Sequence, residues 1–82
     1  MKINILSLKG TQFEGDATAL NVKTTSGEIT VLDNHRPLMT ILAPGEATVL
    51  LPSGERRAIP VRGGFLEVRE NNELVVLIDG GY

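Results

Sequence analysis

The 82-residue sequence contains no cysteine and no tryptophan, and it has one histidine, His35. Without cysteine there are no disulfides, no thiolate zinc sites and no thiol nucleophiles, which fits a reducing compartment and favours a cytosolic address. Aromatic residues are scarce: Phe13, Phe65 and Tyr82 are all there are. Together with a single basic pair, Arg56-Arg57, and a net charge of −2 spread along the chain, this leaves neither stacking platforms nor a basic groove, so no nucleic-acid partner is expected. No apolar run approaches the roughly 20 residues that span a bilayer, and the start, Met1 to Ser7, is too short and polar to read as a signal peptide. Any association with a membrane is expected to be indirect, through a partner.

Nine glycines and four prolines interrupt the chain, and they leave few places for a helix of ordinary length. Between the breaks lie short segments rich in Val, Ile, Leu and Thr. Several alternate with the period of two that marks half-buried strands. In Ala19–Lys23, Leu20 and Val22 share a face; in Glu28–Val31, Ile29 and Val31 do; in Arg57–Arg62, Ile59 and Val61 do, with Pro60 suggesting an edge. Leu66–Arg69 alternates as well. Leu74–Ile78 is apolar throughout, which predicts a central strand covered on both faces. Asn71-Asn72 predicts a hairpin inside the longest stretch free of Gly and Pro, because Asn tolerates left-handed φ. Pro44-Gly45 suits a type II turn, and Ser53-Gly54 links two alternating runs. The reading is a single all-β domain over residues 1–82, a sandwich or barrel with one modest core. Such a core supplies roughly 3–5 kcal/mol unaided, so help from a partner is expected.

A search for chemistry finds little. His35 lies two residues from Asp33, which would allow a hydrolytic pair, but Ser7, Ser26 and Ser53 show no nucleophile context. The ten acidic residues are spread evenly and no carboxylate pair stands out. Gly63-Gly64 lacks the Gly-Lys-Ser/Thr or Gly-x-Gly-x-x-Gly setting of a phosphate loop, so close backbone packing is the expected role. Neither a cofactor nor a metal is expected. A free-standing sandwich or barrel that binds a small ligand or single-stranded nucleic acid is the alternative from another class.

One set of motifs is more specific than composition. Ser26-Gly27-Glu28-Ile29-Thr30-Val31-Leu32, Asp33-Asn34-His35-Arg36-Pro37-Leu38, Leu42-Ala43-Pro44-Gly45, Gly63-Gly64-Phe65-Leu66-Glu67-Val68 and Asn72-Glu73-Leu74-Val75-Val76-Leu77 follow one another in order. With Phe13-Glu14-Gly15 near the start, they resemble the N-terminal β-sandwich domain of the ATP synthase delta/epsilon family, over about residues 3–79. The resemblance implies a flattened two-sheet sandwich of about ten short strands. It implies a non-catalytic subunit of the central stalk, coupling the gamma subunit to the membrane c-ring of a proton- or sodium-driven synthase. Its location would be peripheral, on the cytoplasmic face of the energy-transducing membrane. Carried over residue by residue, it puts Glu28, His35, Arg36, Pro37 and Leu38 at the c-ring contact and, on weaker grounds, Thr40 and its neighbours at the gamma contact.

The chain departs from the family pattern in two ways. Where the family usually reads Pro-Gly-His-Ala-Pro, this chain has Asp33-Asn34-His35-Arg36-Pro37. Asn34 is expected to take the left-handed conformation that glycine provides, and Arg36 to replace or supplement the histidine at the ring. The family also commonly continues into two C-terminal helices that carry inhibition of ATP hydrolysis and, in some members, ATP binding. Here the residues after Asp79 read Gly-Gly-Tyr, so the helical domain is expected to be absent and neither activity is expected.

Overall fold

In a computed structural model, residues 1–81 are described, and Tyr82 lies outside them. The chain alternates strands and tight turns: β1 (Lys2–Ser7), β2 (Gly10–Asp16), β3 (Ala19–Thr24), β4 (Gly27–Leu32), β5 (Leu38–Leu42), β6 (Gly45–Leu50), β7 (Arg56–Arg69) and β8 (Glu73–Gly80). A 3-10 turn at Glu70–Asn72 is the one helical element among the described residues. The expected class holds, with eight strands where about ten were expected.

Part of the difference in count lies in β7. The alternating runs on either side of Gly63-Gly64 read as separate strands, yet they are one strand of 14 residues. Its first half pairs with β6, Arg56 opposite Leu50 through Val61 opposite Gly45. Its second half lies between β5 and β8. A register shift against β8 between Val61 and Gly63 marks the crossing, as bulges do where a strand bends between layers. Gly64 then sits at φ 143°, and a Cβ there would come within 2.0 Å of the Leu77 carbonyl oxygen. Close backbone packing, not phosphate, accounts for that glycine. Pro60 pairs with Glu46 of β6 on one side, and on the other β8 ends opposite Val61 and only the Gly81 N–H reaches the Pro60 carbonyl, at 2.8 Å. A missing N–H costs no ladder bond at such an edge.

One layer therefore runs β2-β1-β8-β7-β5 and the other β4-β3-β6-β7, the second half of β7 serving the first layer and its first half the second. All pairings are antiparallel except β1 with β8. Both layers turn their alternate apolar residues inward: Ile3, Ile5, Leu66, Val68, Leu74, Val76 and Ile78 from the first, and Leu20, Val22, Val31, Ala47, Val49 and Ile59 from the second. Ile29 and Leu38 pack against this core from its margin.

The turns follow their chemistry in most places. Asn71 and Asn72 take φ 67° and 59°, and they close the β7–β8 hairpin as expected. At Pro52–Gly54, the Leu51 N–H donates to the Glu55 carbonyl at 2.8 Å. Buried Thr24 closes the β3–β4 turn, its hydroxyl donating to the Gly27 carbonyl at 2.7 Å and accepting the Ser26 N–H at 3.1 Å. Two expectations need correction. Gly45 has φ 156° and opens β6 opposite Val61, so Pro44-Gly45 is a bend into a strand, since a type II turn needs φ near +80°. Strand β8 is central, but Val75 is only half-buried and Leu77 is 50% exposed. Its inner face is covered within the chain and its outer face is not.

Candidate functional site

Edge strand β4 pairs only with β3, and it carries the motif residues along one rim of the sandwich. Glu28 stands near its start, opposite Lys23. The side chain is exposed, and its Oε2 accepts a 3.0 Å hydrogen bond from Asn21 Nδ2. That same nitrogen donates to Thr30 Oγ1 at 2.9 Å, so one amide holds Glu28 and Thr30 side by side. The loop 33–37 leaves the other end of the strand. At about 3.4 Å per residue, it begins roughly 17 Å from Glu28. The structure therefore sets Glu28 and the histidine loop on a common edge but not in one cluster.

Within the loop, Asn34 has φ 60°, the left-handed conformation expected of it. Its N–H donates to Asn72 Oδ1 at 2.7 Å, and Asn72 Nδ2 donates to Asp33 Oδ1 at 3.2 Å. Asp33 Oδ1 also accepts a 2.6 Å bond from the Met1 ammonium. These bonds hold the Asp33 carboxyl below its ordinary pKa, the ammonium contributing most and the Asn72 amide next. His35, Arg36 and Pro37 are exposed. The His35 Nδ1–H donates to the Arg36 carbonyl at 2.7 Å. Asp33 thus does not orient His35, which takes away the geometric basis of a hydrolytic pair. Leu38 is half-buried at the start of β5, opposite Val68.

The outer face of the first layer is different in kind. Leu6 lies opposite Leu77, Leu77 opposite Phe65, and Phe65 opposite Ile41. These residues form an apolar row across β1, β8, β7 and β5. The next row adds Val75 and Met39 on either side of Glu67. Met39 is 68% exposed, Phe65 53% and Ile41 52%. Ion pairs flank the patch, Arg69 with Glu67 at 2.9 Å and Arg62 with Asp79 at 3.1 Å. Thr40 shares the opposite phase with Leu38 and Leu42 and is half-buried, whereas its neighbours Met39 and Ile41 point outward. The side chains of this apolar row do not stand out in the sequence. Leu6, Ile41, Phe65 and Leu77 meet only through strand register, and their one signal is the unbroken apolarity of Leu74–Ile78.

No group of His, Asp and Glu suited to a metal ion occurs among the described residues. The outer face of the second layer has a shallow groove lined by Asn21, Glu28, Thr30, Thr48 and Arg56 among others. What the molecule presents is two surfaces for contact, a polar rim and an apolar face.

The profile described as "ATP synthase, Delta/Epsilon chain, beta-sandwich domain" matches residues 1–81. Among curated proteins, the ATP synthase epsilon chain of Acinetobacter baumannii is 39% identical over 69 residues, which cover 84% of this chain and 50% of that protein. The ATP synthase epsilon chain 2 of Burkholderia orbicola is 36% identical over 77 residues, covering 93% of this chain and 51% of that one. The chain spans about half the length of these curated relatives. Among solved structures, a chain in the Euglena gracilis mitochondrial ATP synthase, described as OSCP/F1/c-ring, superposes with a TM-score of 0.86 at 22% identity, covering 93% of this chain and 48% of its own length. A chain in the Tetrahymena thermophila mitochondrial ATP synthase central stalk and c-ring gives a TM-score of 0.86 at 14% identity, covering all of this chain and 65% of that one. At these identities the likeness is one of fold.

Proposed function

Because this chain belongs to the ATP synthase delta/epsilon β-sandwich family, we propose that it is a non-catalytic subunit of the central stalk that couples gamma to the c-ring. The observation that carries the reading is the apolar row Leu6, Leu77, Phe65 and Ile41, in which Leu6 is half-buried and the other three stay exposed. An apolar face several strands wide and rimmed by ion pairs marks a protein interface. Gamma is its proposed occupant, with Met39 and Ile41, rather than Thr40, as the β5 residues in contact.

The rim of β4 then faces the ring, through Glu28 at one end and His35, Arg36 and Pro37 at the other, with Leu38 behind them. Single polar contacts of this kind contribute about 0–1 kcal/mol each. They set register and orientation more than affinity, and a ring of identical subunits repeats them. A close-packed sandwich resists deformation, so force applied at one rim reaches the opposite flank. No helix among the described residues is long and apolar enough to cross a membrane, and contact with the membrane is proposed to run through the ring, on its cytoplasmic face.

Co-purification tests this. Tagged chain and gamma from the same synthase, co-expressed, should elute as one complex in moderate salt, and gamma with the c-ring should retain the chain more firmly than gamma alone. Separation of chain from gamma under mild salt would refute the reading.

A further inference from the structure

The loop 33–37 makes no strand pairing, so its shape must be set by something other than a ladder. Asn72 supplies it. The amide oxygen of Asn72 accepts the Asn34 N–H, and its nitrogen donates to the Asp33 carboxylate. Both ends of one carboxamide thus grip consecutive loop residues from the tip of the β7–β8 hairpin. Reversing the amide would set acceptor against acceptor and donor against donor, so its orientation is fixed by its partners. His35 is folded back on the Arg36 carbonyl, which stiffens the loop further.

We infer that Asn72 is a positioning residue for docking: its carboxamide clamps Asp33 and Asn34 to the β7–β8 hairpin and so fixes how His35 and Arg36 are offered to the ring. The inference rests on the reading of this loop as a ring contact. Its physical basis is that a loop ordered in advance has less conformational freedom to lose on binding. One of its two bonds exists because Asp33 stands where the family usually has proline, which offers no carboxylate; the other takes the Asn34 backbone N–H, which glycine would offer as well.

Asn72→Gly is the clean variant. Asn72 has φ 59°, a conformation glycine adopts freely, so the backbone is spared and only the carboxamide is lost. Three measurements are made on the full chain: amide hydrogen exchange, melting temperature, and affinity for a purified detergent-solubilised complex of c-ring and gamma. The Asn34 amide should exchange roughly five to ten times faster, the loss expected for one hydrogen bond. Because glycine relieves the strain of the left-handed φ at this position, which offsets the bonds lost, the Leu74 and Val76 amides and the melting temperature should hold, while affinity for the complex falls by a similar factor. Asn72→Asp, which keeps the acceptor but opposes a second carboxylate to Asp33, should give intermediate Asn34 exchange. Unchanged Asn34 exchange would overturn the clamp. Faster exchange with unaltered affinity, or faster exchange spreading to Leu74 and Val76, would mark a merely structural residue and overturn the inference too. If the unaltered chain fails to bind the complex while Asn34 still responds, the docking reading has failed and takes this inference with it.

Discussion

The two layers of the sandwich share a core and a strand period, but their outer faces differ. Across β4, β3, β6 and β7 the outward row reads Thr30, Asn21, Thr48, Ala58. Across β1, β8, β7 and β5 it reads Leu6, Leu77, Phe65, Ile41. The polar face is tied internally, Asn21 bridging Glu28 and Thr30, and needs nothing more than water beyond it. The apolar face has no such closure within the described chain. Similar backbone geometry therefore yields one surface suited to solvent and one suited to a second protein, and the side chains in the outward phase decide which is which.

The largest effect should come from the glycine that lets the apolar layer close. In Gly64→Ala the new Cβ would meet the Leu77 carbonyl 2.0 Å away, and backbone cannot give way as a side-chain tip can. The expected loss is about 3 kcal/mol or more, enough to lower the melting temperature by about 15 °C in a domain of this size. Gly27, in the second layer, has φ 125°, but a Cβ added there would meet nothing within 4 Å. Gly27→Ala should cost only about 1–2 kcal/mol, for the backbone strain alone. Equal losses in thermal melts would show that space does not distinguish the two layers.

Binding should sharpen the contrast next. Phe65→Asp puts a carboxylate at the centre of the apolar row, and affinity for gamma should fall about thirtyfold or more, the behaviour of a central aromatic anchor. Arg56→Ser, on the polar face, should stay within about twofold, because an exposed charge contributes little. Titration calorimetry with purified gamma gives both numbers. A larger loss for Arg56→Ser than for Phe65→Asp would reverse the assignment of faces.

Much of the fold was legible because burial imposes a period of two: Leu20 and Val22, Ile59 and Val61, and Leu66 and Val68 announced their inward phase. The Asn71-Asn72 turn was legible because few residues tolerate positive φ. β8 was misread for an instructive reason, since an apolar outer face looks the same in sequence whether this chain or another protein covers it. Glu28 and the residues from His35 to Leu38 stood out through family motifs and not through physics, as exposed side chains at a strand start and a loop carry no periodic signal. Thr40 drew attention where its neighbours project outward, because a five-residue strand gives phase only once its partner is known. The Asn72 clamp was illegible, as it joins Asp33 to a residue 39 positions away.

A smaller effect is expected at the edge. Asn21→Ala removes the donor shared by Glu28 and Thr30 on an exposed surface, and it should cost about 0.5–1 kcal/mol in urea unfolding. Glu28→Gln can still accept the Asn21 bond and should lose less. If Asn21→Ala proves silent, the polar face is held by its ladder alone and its side chains serve only contact.

The smallest effect should appear only in acid. Asp33 is held below the ordinary carboxylate value, first by the Met1 ammonium and then by Asn72, so the folded chain favours its ionised form. The unfolded chain, with an aspartate pKa of about 3.9, binds the proton more readily. Asp33 therefore adds stability above that value, and the contribution fades as pH falls through the lower folded value. Urea midpoints of the wild-type chain and Asp33→Asn should keep a constant separation down to about pH 5 and converge as pH falls below about 4. A separation between wild type and Asp33→Asn that persists unchanged into strong acid would show that the ammonium and amide bonds at the rim do not favour the ionised carboxylate.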